Sequence, residues 1–179
     1  MSREIGTVVW FVGLSGSGKT TISRLVEKEL DRRGVLRAVL DGDELRQAIS
    51  PDLGFGYEDR MSHIRRTPYM AGWLSRNGFV VLAPLIPPYR EMREMCRELL
   101  PSFREVYVKC PIGECIARDV KGLYRKALAG EIPEFTGISD RFDEPESSDL
   151  ILETDRESPE ESARKVCDLL RDVGEKVRD

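Results

Sequence analysis

Eight consecutive residues constrain this chain more than any other feature of its sequence. Gly13 to Thr20 read Gly-Leu-Ser-Gly-Ser-Gly-Lys-Thr, which fits the pattern G-x-x-x-x-G-K-[ST] at every fixed position. A β-rich apolar run over residues 7–12 precedes them, and apolar residues at helical spacing follow over 19–33. A glycine-rich turn between a strand and a helix can wrap its backbone N–H groups around phosphate oxygens. The motif predicts a nucleoside triphosphate site, with Lys19 reaching the β- and γ-phosphates and Thr20 holding Mg²⁺.

Strand-like and helix-like stretches alternate along the rest of the chain. After the first strand, the expected strands cover residues 36–40, 79–83, 105–109 and 150–152. The later helices are expected over residues 57–77, 91–100, 112–120 and 159–177, with Ser158 capping the last. The first of them is expected either as one helix or as a pair of helices broken at Pro68. Apolar strands separated by helices indicate an α/β fold, in which a parallel sheet is covered on both faces. Such sheets bind ligands beyond the carboxyl ends of their strands.

Length and composition favour one domain over residues 1–179. The 28 basic and 32 acidic residues give a net charge of −4, which argues against a nucleic-acid binder. No apolar run approaches the ~18 residues of a membrane span, and no secretory segment is apparent, so we expect a cytoplasmic protein without a membrane partner. The cysteines form no CxxC pair and are expected to be reduced and mostly buried; they are Cys96, Cys110, Cys115 and Cys167.

One stretch, residues 121–146, interrupts the alternation of strands and helices. It carries glycines and prolines among charged residues and is too long for an ordinary connection. Long connections of this kind usually serve as lids or binding loops, so we expect a lid here.

Two acidic residues follow the second expected strand, in the sequence Asp41-Gly42-Asp43. Carboxylates at this end of a strand, opposite a phosphate loop, suit the water shell of Mg²⁺ and the acceptance of a proton from a hydroxyl group. A turn with Asx hydrogen bonds is the alternative interpretation. We predict that Asp43 is the base and that Asp41 lies in the Mg²⁺ shell, although the sequence leaves an exchange of these roles open.

Basic residues and the single histidine, His63, form the last candidate group. A solvated helix face is the ordinary explanation of such a charge run, and a single histidine is more often structural than catalytic. The alternative is anion recognition, because the arginine guanidinium is a planar fork of donors. The basic residues are Arg46, Arg60, Arg65, Arg66, Arg90 and Arg93.

Segments beyond the phosphate loop carry a resemblance to one family. The most specific are Lys121-Gly122-Leu123-Tyr124, which follows Arg118-Asp119-Val120, and Phe135-Thr136-Gly137-Ile138. With these motifs the chain resembles the adenylyl-sulfate kinase family over most of its length. The supporting segments are Asp41-Gly42-Asp43 with Arg46, Leu53-Gly54-Phe55, Glu58-Asp59-Arg60, Ile64-Arg65-Arg66, Pro88-Tyr89-Arg90 and Lys126-Ala127.

The resemblance implies both a fold and a reaction. The fold would be a three-layer P-loop NTPase of the nucleoside-monophosphate-kinase type, with a five-stranded parallel sheet in the order 2-3-1-4-5 and a lid segment. The family transfers the γ-phosphoryl group of MgATP to the 3′-hydroxyl of adenylyl sulfate, giving 3′-phosphoadenylyl sulfate and ADP. It is commonly a homodimer, and association with a sulfate adenylyltransferase is a further expectation.

Matching positions imply a role for each site residue. Phe55 and Phe135 would sandwich the substrate adenine, as aromatic rings stack on bases elsewhere. Arg118 would pack near the ATP adenine. The ATP-binding set is Gly13, Ser15, Gly16, Ser17, Gly18, Lys19, Thr20, Thr21 and Arg118. The acceptor-binding set is Asp43, Arg46, Phe55, Arg60, His63, Leu85, Ile86, Lys121 and Phe135. The catalytic residues would be Lys19, Asp41 and Asp43, with Thr20 and Asp41 at the metal.

The chain departs from the family pattern at two informative positions. His63 stands where the family usually has Asn, and either side chain can donate one hydrogen bond. Pro87 stands where some members have Ser and offers no hydroxyl, so we predict direct in-line transfer without a phosphorylated protein.

Two alternative functions stay open: a P-loop kinase for another small acceptor, such as a nucleoside monophosphate or a sugar acid, and a silent nucleotide-binding module that associates with a sulfate adenylyltransferase.

Overall fold

A five-stranded parallel sheet lies at the centre of the fold. The structure is a computed structural model that describes residues 5–100 and 102–171. The sheet order is β2-β3-β1-β4-β5 and every pairing is parallel, so the fold class and strand order expected from the sequence are confirmed. The strands are β1 (Val8–Val12), β2 (Arg37–Val39), β3 (Val80–Pro84), β4 (Phe103–Lys109) and β5 (Leu150–Glu153).

Helices connect the strands and cover the sheet. Each strand is followed by a helix. A second helix lies between β2 and β3, and another lies between β4 and β5. None of the helices formed by the described residues is long and apolar enough to cross a membrane. The helices are α1 (Lys19–Arg32), α2 (Gly42–Ile49), α3 (Tyr57–Arg76), α4 (Arg90–Leu99), α5 (Ile112–Arg118), α6 (Leu123–Leu128) and α7 (Pro159–Leu169).

Alternate side chains of β1 enter two separate cores, one on each face of the sheet. Trp10 packs with Ile64 of α3 and with apolar residues of α2 and α4. Phe11 packs on the other face with Ile22 of α1 and Val166 of α7. The strand is therefore fully buried, which explains why its sequence is continuously apolar rather than alternating. The result is the three-layer arrangement expected from the family resemblance.

Of the two alternatives for residues 57–77, the single helix is confirmed and the break at Pro68 is wrong. Helix α3 runs without interruption from Tyr57 to Arg76 with Pro68 buried inside it. Proline removes one backbone hydrogen bond and costs roughly 3 kcal/mol in a helix interior. Ile64 and Ala71, on either side of the proline, are both buried in the core, and burying such side chains contributes about 1.5–3 kcal/mol for a residue the size of isoleucine. Tertiary packing of the helix therefore outweighs the local preference of the proline.

Capping residues set several element boundaries. Ser158 and Glu161 form a reciprocal capping box at the start of α7, as the serine and the following proline predicted. The part of the expected closing helix that lies beyond residue 171 is outside the described residues. Helices α2 and α6 were not expected, and an aspartate supports the start of each: Asp41 caps α2, and the Asp119 carboxylate accepts from the backbone N–H groups of Tyr124 and Arg125 in the first turn of α6.

Candidate active site

A cavity of about 450 Å³ opens at the carboxyl ends of the central strands. It lies where the topology of a parallel sheet places ligand sites. Of the basic candidates, Arg65, Arg66, Arg90 and Arg93 do not line this cavity. Of the residues given a binding, catalytic or metal role, only Gly13 and Phe135 do not line it. Those that do are Ser15, Gly16, Ser17, Gly18, Lys19, Thr20, Thr21, Asp41, Asp43, Arg46, Phe55, Arg60, His63, Leu85, Ile86, Arg118 and Lys121.

The amino group of Lys19 lies inside the phosphate loop. Its Nζ donates to the carbonyl oxygens of Gly13 at 2.8 Å and Leu14 at 2.7 Å. Burial, assisted by the positive charge of Lys121, lowers the pKa of Lys19 to about 7, although nearby acidic groups oppose the shift. An anion beside the amino group would favour its charged form. The loop therefore holds its lysine in a position that favours a phosphate group as partner.

The glycines of the loop meet two different requirements. A Cβ atom on Gly13 would lie 2.4 Å from the Val108 carbonyl oxygen and 2.8 Å from Ser17 Oγ, so this glycine allows β1 and β4 to approach closely. Gly16 and Gly18 have φ angles of +73° and +104°, which L side chains rarely adopt. Gly13 thus leaves room for the neighbouring strand and for Ser17, while Gly16 and Gly18 allow the backbone turn that lines the cavity.

The two acidic residues after β2 face different partners. The carboxylate of Asp41 accepts from the backbone N–H of Asp43 at 3.0 Å and from the Thr20 hydroxyl at 3.4 Å. Asp43 lies in the first turn of α2, and its carboxylate pairs instead with the amino group of Lys121. The Asx turn and the functional interpretation are both compatible with this arrangement, because one oxygen of Asp41 caps the helix while the other faces the phosphate loop.

Two arginines lie beside the exposed ring of Phe55, which lines the cavity. The guanidinium of Arg46 lies 4.9 Å from the ring centroid and that of Arg60 lies 5.8 Å from it. Arg60 is buried, and it donates to the carbonyl oxygens of Phe55 at 2.6 Å and of Glu134 at 2.7 Å. Burial, together with the charge of Arg60, lowers the pKa of Arg46. The cluster concentrates positive charge beside a flat apolar surface.

Phe135 does not form the second wall of the cavity. Its ring packs edge-on against Tyr124, with ring centroids 5.1 Å apart and an interplanar angle of 79°. The residue before it, Glu134, is the one that Arg60 contacts. The cavity thus presents one of the two rings expected to hold the adenine, and the other lies in a small neighbouring core with Cys110 and Cys115.

His63 is a buried residue whose ring borders the cavity. Its Nδ1 lies 2.9 Å from the hydroxyl oxygen of Ser50, which Arg66 also contacts at 3.4 Å. Burial, and then the positive charges of Arg46 and Arg66, lower the pKa of His63 to about 4. The ring is therefore neutral at physiological pH and can offer one donor and one acceptor, as the asparagine usual in the family can.

Oxygen ligands suitable for Mg²⁺ meet at Thr20 and Asp41. A hydroxyl and a carboxylate are ligands that Mg²⁺ prefers, and this ion usually completes its shell with water and substrate phosphates. Among the described residues no group of three or more His, Cys, Asp or Glu side chains could form a metal cage. The residues present fit a metal that binds together with a nucleotide.

Tyr124 and Thr154 are among the lining residues that were not predicted from the sequence as site residues. Tyr124 belongs to the KGLY segment that carried the resemblance, but its hydroxyl contacts the loop carbonyl of Ser15 across 109 positions of chain. Thr154 follows β5 directly, and the rule that ligands bind beyond the carboxyl ends of strands could have identified it. All four cysteines are free and buried, as expected.

The sequence also matches proteins of known family. The family model for adenylylsulphate kinase matches residues 5–153. The chain belongs to the adenylyl-sulfate kinase family. The adenylyl-sulfate kinase of Halothermothrix orenii is 49% identical over 174 residues, which are 97% of this chain and 94% of that relative. The resemblance inferred from the KGLY and FTGI segments is confirmed.

Adenylyl-sulfate kinases also occur among solved structures and as part of longer chains. The APS kinase of Mycobacterium tuberculosis, solved in complex with AMPPNP and APS, superposes with a TM-score of 0.91 at 43% identity, covering 94% of this chain and 99% of that one. A probable bifunctional SAT/APS kinase of Sorangium cellulosum is 46% identical over 169 residues, 94% of this chain but only 29% of that relative.

Proposed function

We propose that this chain transfers the γ-phosphoryl group of ATP to the 3′-hydroxyl of adenylyl sulfate, producing 3′-phosphoadenylyl sulfate and ADP. The observation that carries this proposal is a single cavity, which is lined by phosphate-loop residues 15–20, an acidic pair and an arginine–aromatic cluster. The cavity has a donor side and an acceptor side. Membership of the adenylyl-sulfate kinase family favours this acceptor over a nucleoside monophosphate or a sugar acid, and favours an active enzyme over a silent binding module.

Phosphoryl transfer requires mainly positioning and charge stabilisation from the protein. Lys19 would neutralise charge on the transferring group, since its amino group is already held within the loop. Asp43 would orient the acceptor hydroxyl and take its proton. The different partners of the two aspartates support this assignment, because Asp41 faces Thr20 while the carboxylate of Asp43 faces the cavity near Lys121.

Thr20 and Asp41 would hold Mg²⁺ together with the ATP phosphates. When bound, this ion would neutralise charge on the phosphates. The contact between the Thr20 hydroxyl and the Asp41 carboxylate fixes both oxygens on one side of the loop. Asp41 is further held by its cap on α2, so its orientation does not depend on the metal.

The arginine–aromatic cluster would recognise adenylyl sulfate. Phe55 offers a ring face to the adenine, and a base stacked on an aromatic ring contributes about 1–3 kcal/mol. Arg46, Arg60 and Lys121 supply positive charge for the phosphosulfate group, and charge-assisted hydrogen bonds of this type are roughly twice as strong as neutral ones. His63 would add a neutral donor, with Leu85 and Ile86 forming an apolar wall.

The segment 121–146 would act as a lid that is fixed at one end. Its later part is held to the body of the protein, because Tyr89 donates to Asp140 at 2.7 Å and Arg60 donates to Glu134. In the earlier part, Lys121 reaches across the cavity to Asp43. Binding of the acceptor would replace this ion pair, which places the lid's adjustment around Lys121.

The proposal also covers the domain organisation, the oligomeric state, the location and a partner protein. We propose a single kinase domain over residues 1–179, a homodimer, and a location in the cytoplasm, as the resemblance and the sequence composition suggest. Association with a sulfate adenylyltransferase is supported by the Sorangium cellulosum relative, whose name describes both activities in one chain. Light scattering on the purified chain, alone and mixed with a sulfate adenylyltransferase, tests the homodimer and the association.

Product identification tests the proposed reaction. The chain incubated with MgATP and adenylyl sulfate should yield 3′-phosphoadenylyl sulfate, detected by ion-exchange chromatography and mass spectrometry. Lys19→Ala should reduce turnover about 10²- to 10³-fold, the usual loss when one preorganised donor to the transition state is removed. A product phosphorylated elsewhere, or no phosphorylated nucleotide from the folded chain, would contradict the proposal.

A further inference from the structure

Two hydroxyl groups hold carbonyl oxygens of the phosphate loop from outside the loop. The Tyr124 hydroxyl donates to the carbonyl oxygen of Ser15 at 2.9 Å, and the Thr154 hydroxyl donates to that of Ser17 at 2.8 Å. Tyr124 belongs to α6, whereas Thr154 follows β5. Side chains from two separate parts of the fold therefore contact alternate peptide groups of one loop.

The orientation of each carbonyl fixes the orientation of the next amide. In a trans peptide the C=O and N–H groups point in opposite directions. The contact of the Ser15 carbonyl with Tyr124 thus turns the Gly16 N–H away from Tyr124, and the contact of the Ser17 carbonyl with Thr154 turns the Gly18 N–H away from Thr154. Across residues 5–100 and 102–171, neither of these two N–H groups has a hydrogen-bond partner, and both glycines line the cavity.

Without these contacts the two peptide groups would be free to rotate. Each is followed by a glycine with a positive φ angle, +73° at Gly16 and +104° at Gly18, and glycine changes its backbone conformation at low cost. The residue type that permits the turn therefore also permits the wrong amide orientation. Contacts from outside the loop would therefore be needed to keep the N–H groups of Gly16 and Gly18 in fixed orientations.

Both hydroxyl groups are themselves well positioned. The Tyr124 side chain is almost completely buried and packs edge-on against Phe135. The backbone N–H of Tyr124, in the first turn of α6, donates to the Asp119 carboxylate. The backbone N–H of Thr154 donates to the Lys109 carbonyl at 3.0 Å, which ties it to the end of β4. The contacts that position Tyr124 and Thr154 are therefore made with the sheet and with a buried core, and not with the phosphate loop.

We propose that Tyr124 and Thr154 are positioning residues, which preset the amides of Gly16 and Gly18 for the phosphate oxygens of the nucleotide. The proposal rests on the proposed function only in taking a nucleoside triphosphate as the ligand of the loop. Preset amides avoid reorganisation when the phosphates bind and when charge moves during transfer. Arg118, which reaches the intervening Gly16 carbonyl at 3.4 Å, makes a weaker contact of the same kind.

Variants that remove a single hydroxyl test this role. Tyr124→Phe keeps the buried ring, and Thr154→Val keeps the side-chain shape. Each should weaken binding of ATP and of inorganic tripolyphosphate by about 2- to 10-fold, the range expected for one net hydrogen bond. Thr154→Ser keeps the hydroxyl and should bind both like the unchanged chain. Tyr69→Phe, at a tyrosine that is 77% exposed on α3, is the matched control and should have no effect.

The pattern across ligands separates positioning from a merely structural role. Affinities are measured by calorimetry on the full chain without acceptor, alongside thermal melting of every variant and a kinetic comparison of kcat and KM. The proposal expects lower kcat and weaker ATP binding in Tyr124→Phe and Thr154→Val. The KM for adenylyl sulfate should stay within about twofold of the unchanged chain, because the two hydroxyls donate to carbonyl oxygens of the loop and, for Thr154, also to that of Lys109, and to no acceptor-binding residue. Unchanged tripolyphosphate affinity in both folded variants would overturn it, as would equal losses in Thr154→Ser and Thr154→Val. Because binding is measured without adenylyl sulfate, a different acceptor would contradict the proposed function without affecting this result.

Discussion

The side chain of His63 should contribute to the loss of stability of this chain on acidification. His63 is the single histidine of the sequence, it is 4% exposed, and burial beside Arg46 and Arg66 lowers its pKa from 6.5 to about 4. Between these two values the unfolded chain binds a proton that the folded chain does not bind. Stability therefore rises with pH in this window, and the contribution of His63 is lost as the pH falls from about 6.5 towards 4.

The size of the effect follows from the two pKa values. At about pH 5 the unfolded imidazole is roughly 97% protonated and the folded one roughly 10%, which corresponds to about 2 kcal/mol of lost stability relative to about pH 8. Many single domains have only 5–15 kcal/mol of stability, so this loss is measurable. Other groups also titrate over this range, and a matched variant is needed to separate them.

His63→Asn is that variant, because the family usually has asparagine at this position. Urea unfolding of both chains at about pH 8 and about pH 5 gives four free energies of unfolding. The unchanged chain should lose about 2 kcal/mol more than His63→Asn on acidification, according to the linkage above. Equal losses in the two chains would refute the reasoning, since they would mean that the imidazole titrates alike in the folded and unfolded states.

Further predictions concern the chemistry of the site. Asp43→Asn should lower kcat by about 10²-fold or more, the loss typical of a positioned base. Asp41→Asn should instead raise the Mg²⁺ concentration needed for half-maximal rate. If excess Mg²⁺ rescues only the Asp43 variant, the two aspartates have the opposite roles. Phe55→Ala should weaken acceptor binding by about 1–3 kcal/mol with little change in ATP binding. Phe135→Ala should weaken acceptor binding less, because Phe135 does not line the cavity. Calorimetry that finds a larger loss in Phe135→Ala than in Phe55→Ala would contradict this geometry. Enzyme incubated with γ-labelled ATP and quenched in acid should carry no stoichiometric label, since Pro87 has no hydroxyl; label that adenylyl sulfate chases into product would contradict direct transfer.

Local sequence patterns were sufficient for the strands, the phosphate loop and the acidic pair, whereas the strand order and the remaining site residues came from the family resemblance. Fully apolar strands such as β1 indicate burial on both faces, and right-handed connections through helices leave few alternatives for the topology. The phosphate loop and the acidic pair could be found because each lies at the end of a strand. The sequence left a break at Pro68 open, because packing of α3 against the sheet is not visible in a local pattern.

Contacts between distant segments explain what the sequence did not reveal. Thr154 and Ser17 are 137 residues apart, and no pattern of spacing connects a hydroxyl after the last strand with a carbonyl in the first loop. The same holds for Phe135, whose family position indicated a role in stacking but whose packing against Tyr124 depends on how the segment 121–146 folds back. The partners of Asp41 and Asp43 likewise became distinct only when α2 placed one beside Thr20 and the other beside Lys121.

Acceptor selectivity tests the central claim most directly. ADP release is followed in a coupled assay with MgATP and, in parallel reactions, adenylyl sulfate, AMP or no acceptor. Arg46 and Arg60 would lack part of their anionic partner with AMP, and buried polar groups left unpaired can produce discrimination on the order of 10⁴ in kcat/KM. The account predicts rapid ADP release with adenylyl sulfate and rates near background in the other two reactions. Equal rates with AMP and adenylyl sulfate would contradict it and would assign the chain to nucleoside monophosphate phosphorylation.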